Sequence, residues 1–166
     1  MSRPKALLSW STGKDSAYTL AVLRDQAEVD IVGLVSTVNG GADRVAMHGV
    51  RRELLQRQAE AVGLPVHEVN IPWPCSNEEY EAAMSAVVAA ARDQGVSRMA
   101  FGDLFLADIR ANRQEMLRGI GLEPMFPLWG RDTARPARDM LDAGIAAVIR
   151  CVDTSQLAPG VRRPVV

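Results

Sequence analysis

The chain has 166 residues, which is enough to bury one hydrophobic core, so we expect a single main domain. Its 19 basic and 20 acidic residues give a net charge of −1, which disfavours nucleic acid as a partner because a phosphate backbone is bound by excess positive charge. No apolar run is long enough to cross a membrane, no signal peptide is recognisable, and the two cysteines, Cys75 and Cys151, have no metal-ligand spacing. We therefore expect a cytoplasmic protein without a membrane partner.

Strand-like and helix-like segments alternate along the chain. The first half of the chain has predicted strands at 6–8, 30–38 and 66–71, which alternate with predicted helices at 14–26 and 50–62. A third helix, capped by Ser76, runs to 94 and is followed by a strand at 98–104 and a helix at 108–120. The remaining elements are an extended piece at 124–129, a helix from 132 or 133 to 144 and a strand at 146–152. This alternation predicts a three-layer, doubly wound α/β fold with a mostly parallel, five-stranded sheet. We expect it to occupy residues 1–155, followed by an irregular tail at 156–166. Ligands of such folds bind beyond the carboxyl ends of the strands, where the strand order reverses.

The stretch 7–20 joins the first strand to the first helix through a short polar turn. Small residues around Gly13 allow backbone N–H groups to converge at the positive end of the helix, which is a phosphate-binding geometry, and Lys14 adds a cation. The two common glycine-rich phosphate motifs do not match, since Leu8 stands five positions before Gly13 and Asp15 follows Lys14. A carboxylate beside phosphates implies either bound Mg²⁺ or a structural role in the first helical turn. The alternative is an ordinary turn that Asp15 caps.

Polar residues also lie at the carboxyl ends of two other predicted strands, at 36–41 and at Gly102 and Asp103. Gly102 allows close approach of a ligand, and Asp103 is suited to hold Mg²⁺ or to polarise a nucleophile. The alternative is a turn residue and a helix cap. Arg110 and Arg113 either steer phosphate or an acceptor carboxylate, since a guanidinium suits both, or form a solvated helix face with Arg113 near Glu115, and the second is favoured.

The turn carries a resemblance to a known superfamily. The sequence Ser-Thr-Gly-Lys-Asp-Ser at 11–16 resembles the Ser-Gly-Gly-Lys-Asp-Ser signature of the PP-loop ATP pyrophosphatases, with Thr12 in place of the first Gly. Other segments are similar to the diphthine–ammonia ligase-like branch of that superfamily, and they are 47–51, 59–65, 101–105 and 126–129. The similarity covers residues 5 to about 155.

The resemblance implies an adenine nucleotide alpha hydrolase-like fold. It also implies an enzyme that cleaves ATP to AMP and pyrophosphate and adenylates a carboxylate acceptor for amide formation. Lys14 and Asp15 would be catalytic, and Asp15 and Asp103 would hold Mg²⁺. The residues expected to bind the nucleotide are Ser11, Thr12, Gly13, Lys14, Asp15, Ser16, Ser36, His48, Gly102 and Asp103.

Longer relatives of this kind continue with a Gly-Arg element and an acidic, glycine-rich segment that is thought to help bind the acceptor. Residues 151–166 contain no such segment, so the sequence supports nucleotide binding more strongly than amide formation. Two alternatives stay open. One is a non-catalytic or regulatory ATP- or AMP-binding domain of the same fold, and the other is a tRNA-modifying PP-loop enzyme. Homo-oligomer formation is also open.

Overall fold

The computed structural model describes residues 2–46, 48–131, 134–149 and 155. Its helices are α1 Lys14–Gln26, α2 Arg52–Val62, α3 Asn77–Asp93, α4 Ala107–Arg118 and α5 Ala134–Asp142. Its strands are β1 Lys5–Ser9, β2 Asp30–Asn39, β3 Arg44–Val45, β4 Val66–Ile71, β5 Val96–Ala100 and β6 Glu123–Met125. None of the described helices has the length and apolar character that a membrane-spanning helix needs.

Five parallel strands form the sheet in the order β4-β2-β1-β5-β6, and β3 pairs with β2 in the antiparallel direction. The chain builds outward from β1 to β2 and β4, then crosses back to add β5 and β6 on the other side of β1. The strand order therefore reverses between β1 and β5, and the carboxyl ends of these strands are where such sheets bind ligands. The predicted doubly wound, mostly parallel α/β fold is confirmed.

Two apolar clusters show that helices cover both faces of the sheet. On one face, residues of α1 and α2 such as Leu23 and Leu55 pack with Leu8 of β1. On the other face, residues of α3 and α4 such as Val88 and Leu117 pack in a separate cluster with β5. The sheet is therefore buried between two helical layers, which explains its nearly uncharged strands.

The predicted ends of several elements are confirmed. Helix α1 has the predicted bounds, and the capping box at the start of α3 is present in full. Ser76 Oγ accepts from the backbone N–H of Glu79 at 3.2 Å, and the backbone N–H of Ser76 donates to Glu79 Oε2 at 2.8 Å. This reciprocal pair is a local feature, which is why the sequence alone predicts it.

The fifth parallel strand of the described sheet is β6, in a stretch that the sequence analysis gave only as an extended piece, whereas the fifth strand had been predicted at 146–152. Pro124 lies within β6 and has no N–H to donate, which an edge strand tolerates. The described part of that prediction is wrong, since residues 146–149 form no continuous strand and only Val148 makes a β-bridge. The predicted strand residues 150–152, the predicted helix start at 132 or 133 and the tail at 156–166 lie outside the described residues.

Candidate functional site

The turn between β1 and α1 lies at the point where the strand order reverses. Trp10 continues β1 by donating its backbone N–H to the carbonyl oxygen of Val35 on β2, at 2.7 Å. Gly13 is the residue before the helix and has extended backbone angles, φ −93° and ψ 169°. Thr12 has a φ of +65°, in the left-handed region. Thr12 replaces the usual glycine of the signature, and its left-handed conformation is one that favours glycine. Holding a threonine in this conformation costs about 1–2 kcal/mol of stability.

The backbone N–H groups of this turn are available to a ligand. Within the described part of the chain, the amides of Thr12 to Ser16 donate to no hydrogen-bond acceptor. The first backbone bond of α1 runs from Ala17 N–H to the Gly13 carbonyl oxygen, at 3.3 Å. The amide of Ser11 is different, since it donates to Ser16 Oγ at 3.2 Å. Unbonded amides in a turn that leads into the positive end of a helix are suited to bind an anion.

Side chains from outside the turn hold its carbonyl groups away from this site. His48 Nδ1 lies 2.7 Å from the carbonyl oxygen of Ser11, and Gln58 Nε2 donates to the carbonyl oxygen of Thr12 at 3.3 Å. Gln58 is fixed in turn by the indole N–H of buried Trp10, which donates to Gln58 Oε1 at 2.8 Å. Because the C=O and N–H of a trans peptide point in opposite directions, these bonds direct the amides of Thr12 and Gly13 to the other side.

Strand β3 brings His48 to the turn. The N–H of Ala46 donates to the carbonyl oxygen of Thr37 on β2. Trp10 donates to the carbonyl oxygen of Val35, two residues earlier on β2, so both bonds lie on the same edge of that strand. The segment after β3 therefore runs beside the end of β1. The His48 ring packs so closely on the turn that a Cβ at Gly13 would lie 2.8 Å from His48 Cε1. A side chain at position 13 would therefore push the His48 ring away from the turn.

The contact with Ser11 also sets the tautomer of His48. A carbonyl oxygen can only accept a hydrogen bond, so Nδ1 must carry a proton. In the neutral ring this leaves Nε2 as an acceptor, and in the protonated ring Nε2 becomes a donor. The side chain is exposed, so Nε2 can reach a ligand.

Lys14 and Asp15 form an ion pair at the start of α1. Lys14 Nζ lies 2.8 Å and 2.9 Å from the two carboxylate oxygens of Asp15. The side chains are 54% and 36% exposed, so the pair is partly screened by water, contributes little to stability and can open when a ligand arrives. The predicted cation and the predicted carboxylate are therefore both beside the free amides.

Gly102 connects this turn to the end of β5. A Cβ at Gly102 would lie 2.9 Å from Thr19 Oγ1 and 3.1 Å from the carbonyl oxygen of Asp15. The missing side chain lets the first turn of α1 pack directly against the backbone after β5. Asp103 is the next residue, so this contact also sets how far its carboxylate lies from the turn.

Asp103 is held by Arg113 of α4. The Nε atom of Arg113 lies 2.7 Å from Asp103 Oδ2, and Arg113 Nη2 lies 3.3 Å from Oδ1; only the second contact is aligned as a hydrogen bond. Burial raises the pKa of Asp103 above 3.8, and the guanidinium of Arg113 opposes this rise. The favoured prediction that Arg113 lies near Glu115 on a solvated face is wrong, because Glu115 pairs with Arg118 instead.

Ser36 contributes an unsatisfied hydroxyl near the same edge of the sheet. Ser36 is 2% exposed, and its Oγ has no hydrogen-bond partner in the described part of the chain. Ser36 directly follows Val35, whose carbonyl oxygen receives the N–H of Trp10 at the start of the turn. A buried hydroxyl without a partner is costly, and a ligand group could satisfy it.

Comparison with known families decides the assignment. The family model described as the diphthamide synthase N-terminal domain matches residues 4–124, which include the turn, Gly102, Asp103 and Arg113. The chain belongs to this family. It is therefore a PP-loop protein, and PP-loop proteins generally bind ATP with Mg²⁺.

Two further comparisons were made. A solved structure that is similar to this chain is that of the U34-tRNA thiolase NcsA from Methanococcus maripaludis with its [4Fe-4S] cluster. The sequences are 12% identical, the TM-score is 0.49, and the similarity covers 86% of this chain and 58% of the thiolase. The chain thus spans little more than half of that protein's length. No curated protein matches the sequence.

The carboxylates fit a Mg²⁺ site of the kind that phosphate ligands complete. The described residues contain no group of three or more His, Cys, Asp or Glu side chains that could hold a metal ion. Mg²⁺ at phosphate sites commonly uses only one or two carboxylates together with phosphate oxygens and water. Asp15 is suited to this, because within the described ranges its carboxylate pairs with the exposed Lys14 alone. Asp103 as a ligand stays a prediction, and both its oxygens contact Arg113.

Aromatic rings and two arginines line the β5–β6 side of the site. The rings of Phe101 and Phe126 stack at 5.6 Å, and Trp129 meets Phe126 edge-on at 6.2 Å. Arg113 lies 4.3 Å from the centre of the Phe101 ring. Arg110 lies 4.9 Å from the Phe126 ring centre and 4.5 Å from that of Trp129.

The structure thus brings together most of the predicted site residues in this diphthamide synthase-family domain. Residues 11–16 and His48 meet at the turn, while Gly102 packs against the start of α1. Their roles in binding a nucleotide stay predictions. The sequence analysis missed Gln58, which holds the turn from α2. The only signal for it was Trp10, because a buried indole needs an acceptor, and the sequence does not say which residue supplies it.

Proposed function

We propose that this chain binds ATP with Mg²⁺ and supports its cleavage to AMP and pyrophosphate, with adenylation of a carboxylate acceptor that ammonia then converts to an amide. The observation that carries the proposal is the set of free amides at Thr12 to Ser16, whose neighbouring carbonyls are held away by His48 and Gln58. Membership of the diphthamide synthase N-terminal domain family supports the choice of reaction.

The turn is suited to hold the β and γ phosphates. Its amides are oriented before the ligand arrives, so binding requires little rearrangement of the backbone. Lys14 would leave Asp15 and place its ammonium beside the phosphates. Asp15 would hold the Mg²⁺, which neutralises charge on the phosphate oxygens. Adenosine would then lie over β2, where Ser36 Oγ and the free Nε2 of His48 offer two unfilled polar atoms.

The reaction needs charge stabilisation more than acid–base chemistry. A carboxylate oxygen of the acceptor attacks the α phosphorus of ATP. The bond between the α phosphorus and the oxygen that bridges the α and β phosphates breaks. Negative charge then builds on the departing pyrophosphate. Lys14 and the turn amides are placed to stabilise this charge, which is commonly the largest single contribution in such steps. Ammonia next attacks the acyl carbon, AMP leaves, and the nitrogen loses a proton.

The experiment is to incubate the protein with ATP labelled at the α phosphate, Mg²⁺, ammonium and free diphthine, and to separate the nucleotides. AMP with an equal amount of pyrophosphate supports the proposal. ADP and phosphate contradict it. Binding of ATP in a calorimeter without AMP formation favours the non-catalytic alternative, and salt-sensitive binding of tRNA favours the RNA-modifying alternative.

A further inference from the structure

Arg110 is the unusual charged group of this region. Its guanidinium lies 4.9 Å from the centre of the Phe126 ring and 4.5 Å from that of Trp129. Among the residues that the structure describes, its side chain makes no ion pair and no hydrogen bond. A partly buried cation between two aromatic faces has therefore lost part of its water without gaining a carboxylate.

Arg113 shows the same arrangement with its anion in place. It lies one helical turn further along α4, its guanidinium rests 4.3 Å from the centre of the Phe101 ring, and the carboxylate of Asp103 contacts it through both oxygens. The rings of Phe101 and Phe126 are stacked on each other, so the two arginines lie against one continuous aromatic surface. One guanidinium has a carboxylate, and the other lacks one.

The aromatic surface prepares Arg110 for a planar anion. The two rings have planes 67° apart and contact the guanidinium from two directions, which restricts its rotamers. The N–H edge of the guanidinium has no acceptor among the described residues. That edge matches the two oxygens of a carboxylate. Because the rotamer entropy is already lost, less of the binding energy is spent on ordering the side chain.

The position of Arg110 points to a ligand other than the distal phosphates of ATP. Phe126 directly follows β6, and β6 is separated from β1 by β5. Neighbouring strands lie about 4.8 Å apart, so the Arg110 site is roughly 10 Å across the sheet from the turn at residues 11–16. This separation favours a second substrate on the β5–β6 side, rather than a phosphate held by the turn amides, as the ligand of Arg110.

We propose that Arg110 binds a carboxylate group of the acceptor and thereby places the acceptor on the β5–β6 side of the nucleotide. This rests on the proposed function for the existence of an acceptor. The carboxylate binding itself follows from the residues above. Arg113 lies against an aromatic ring and pairs with the carboxylate of Asp103. Arg110 also lies against aromatic rings, and the ligand supplies its carboxylate.

The test uses glutarate as the carboxylate and the full chain as the protein. The Nε–H resonance of Arg110, assigned by its loss in Arg110→Gln, is followed by NMR during titration with glutarate, with sodium chloride at equal ionic strength as the reference. We expect a saturable shift at millimolar glutarate that chloride does not produce. The control variant Arg118→Gln, on the same helix but fully paired with Glu115, should titrate like the unchanged protein. Phe126→Leu, which removes one supporting ring, should weaken glutarate binding at least threefold.

Binding of ATP with Mg²⁺ is measured in parallel by calorimetry on the same variants. Arg110→Gln should change the Kd for ATP less than twofold. An Arg110 shift that appears only with pyrophosphate or ATP, a shift that chloride reproduces, or a tenfold loss of ATP affinity in Arg110→Gln overturns the inference. A protein that binds glutarate at Arg110 but no ATP contradicts the proposed function and leaves the carboxylate site standing.

Discussion

Gln58 Nε2 donates to the carbonyl oxygen of Thr12 at 3.3 Å, across a separation of 46 residues in the sequence. This contact joins α2 to the turn that begins α1. It fixes the orientation of the peptide group between Thr12 and Gly13, so the N–H of Gly13 points away from Gln58. The Oε1 atom of Gln58 accepts a hydrogen bond from the indole N–H of Trp10. The Gln58 side chain therefore bonds both the Thr12 carbonyl oxygen and the Trp10 indole.

Replacing Gln58 by Leu should therefore weaken both the fold and the anion site. The change leaves the buried indole N–H of Trp10 without an acceptor, which costs about 1–3 kcal/mol of unfolding free energy. The freed peptide can rotate, so we expect ATP affinity to fall about tenfold, which is about 1.4 kcal/mol. Urea unfolding and calorimetry measure the two effects. Arg57→Gln, at an exposed neighbouring position, is the control and should alter neither quantity.

The left-handed conformation of Thr12 predicts an unusual response to glycine. Thr12→Gly relieves about 1–2 kcal/mol of backbone strain, loses about 0.5–1 kcal/mol through the more flexible unfolded chain, and loses about 1 kcal/mol with the hydrogen bond of Thr12 Oγ1. Its stability should therefore lie between a loss of about 1 kcal/mol and a gain of about 0.5 kcal/mol. Thr12→Val keeps the strain but removes the hydrogen bond from Thr12 Oγ1 to the Ser11 carbonyl oxygen, and should lose about 1 kcal/mol. The midpoint of thermal unfolding ranks the three proteins. If Thr12→Gly is the least stable of them, the backbone conformation assigned to residue 12 is wrong.

Lys14→Ala should slow AMP formation at least tenfold, because removing a charge-stabilising group at a phosphoryl-transfer site commonly costs this much or more. Among the described residues its ammonium pairs with the partly exposed carboxylate of Asp15 alone, so stability should change little. Lys5→Ala is a suitable control, since Lys5 lies at the opposite end of β1 and bonds the carbonyl oxygen of Gln94. Equal rates for the Lys14 and Lys5 variants would remove Lys14 from the mechanism.

Asp103 predicts a defined pH dependence. Because burial raises its pKa above 3.8, the folded state holds this proton more tightly than the unfolded state. The contribution of Asp103 to stability is therefore greatest below pH 3.8 and is lost as the pH rises through the folded pKa. Arg113 lowers the pKa, so Arg113→Gln should move it further up and extend the loss to higher pH. The carboxyl ¹³C shift of Asp103 reports the midpoint, and a value at or below 3.8 in the unchanged protein would contradict this assignment.

The sequence predicted the features that depend on neighbouring residues. The bounds of α1, the capping box at Ser76 and Glu79, and the polar turn at the end of β1 all follow from short-range patterns. The alternation of apolar strands and amphipathic helices was sufficient to predict the layered α/β fold.

The features that the sequence did not predict depend on contacts between distant segments. The partner of Arg113 is Asp103 rather than the nearby Glu115, and this choice is made by the packing of α4 against the end of β5. The role of Gln58 depends on where α2 meets the turn. The edge strand β6 contains Pro124 and has only three residues, so it carries too weak a strand signal to be preferred over the apolar run at 146–152.

The central claim is that the amides of Thr12 to Ser16 bind the phosphates of ATP, and an NMR titration of the backbone N–H resonances with ATP and Mg²⁺ tests it most directly. We predict saturable shifts that are largest for these five amides, with a small shift for Ser11, whose N–H is already bonded to Ser16 Oγ. Saturable binding that leaves the resonances of residues 12–16 in place, or no binding at all, would contradict the account.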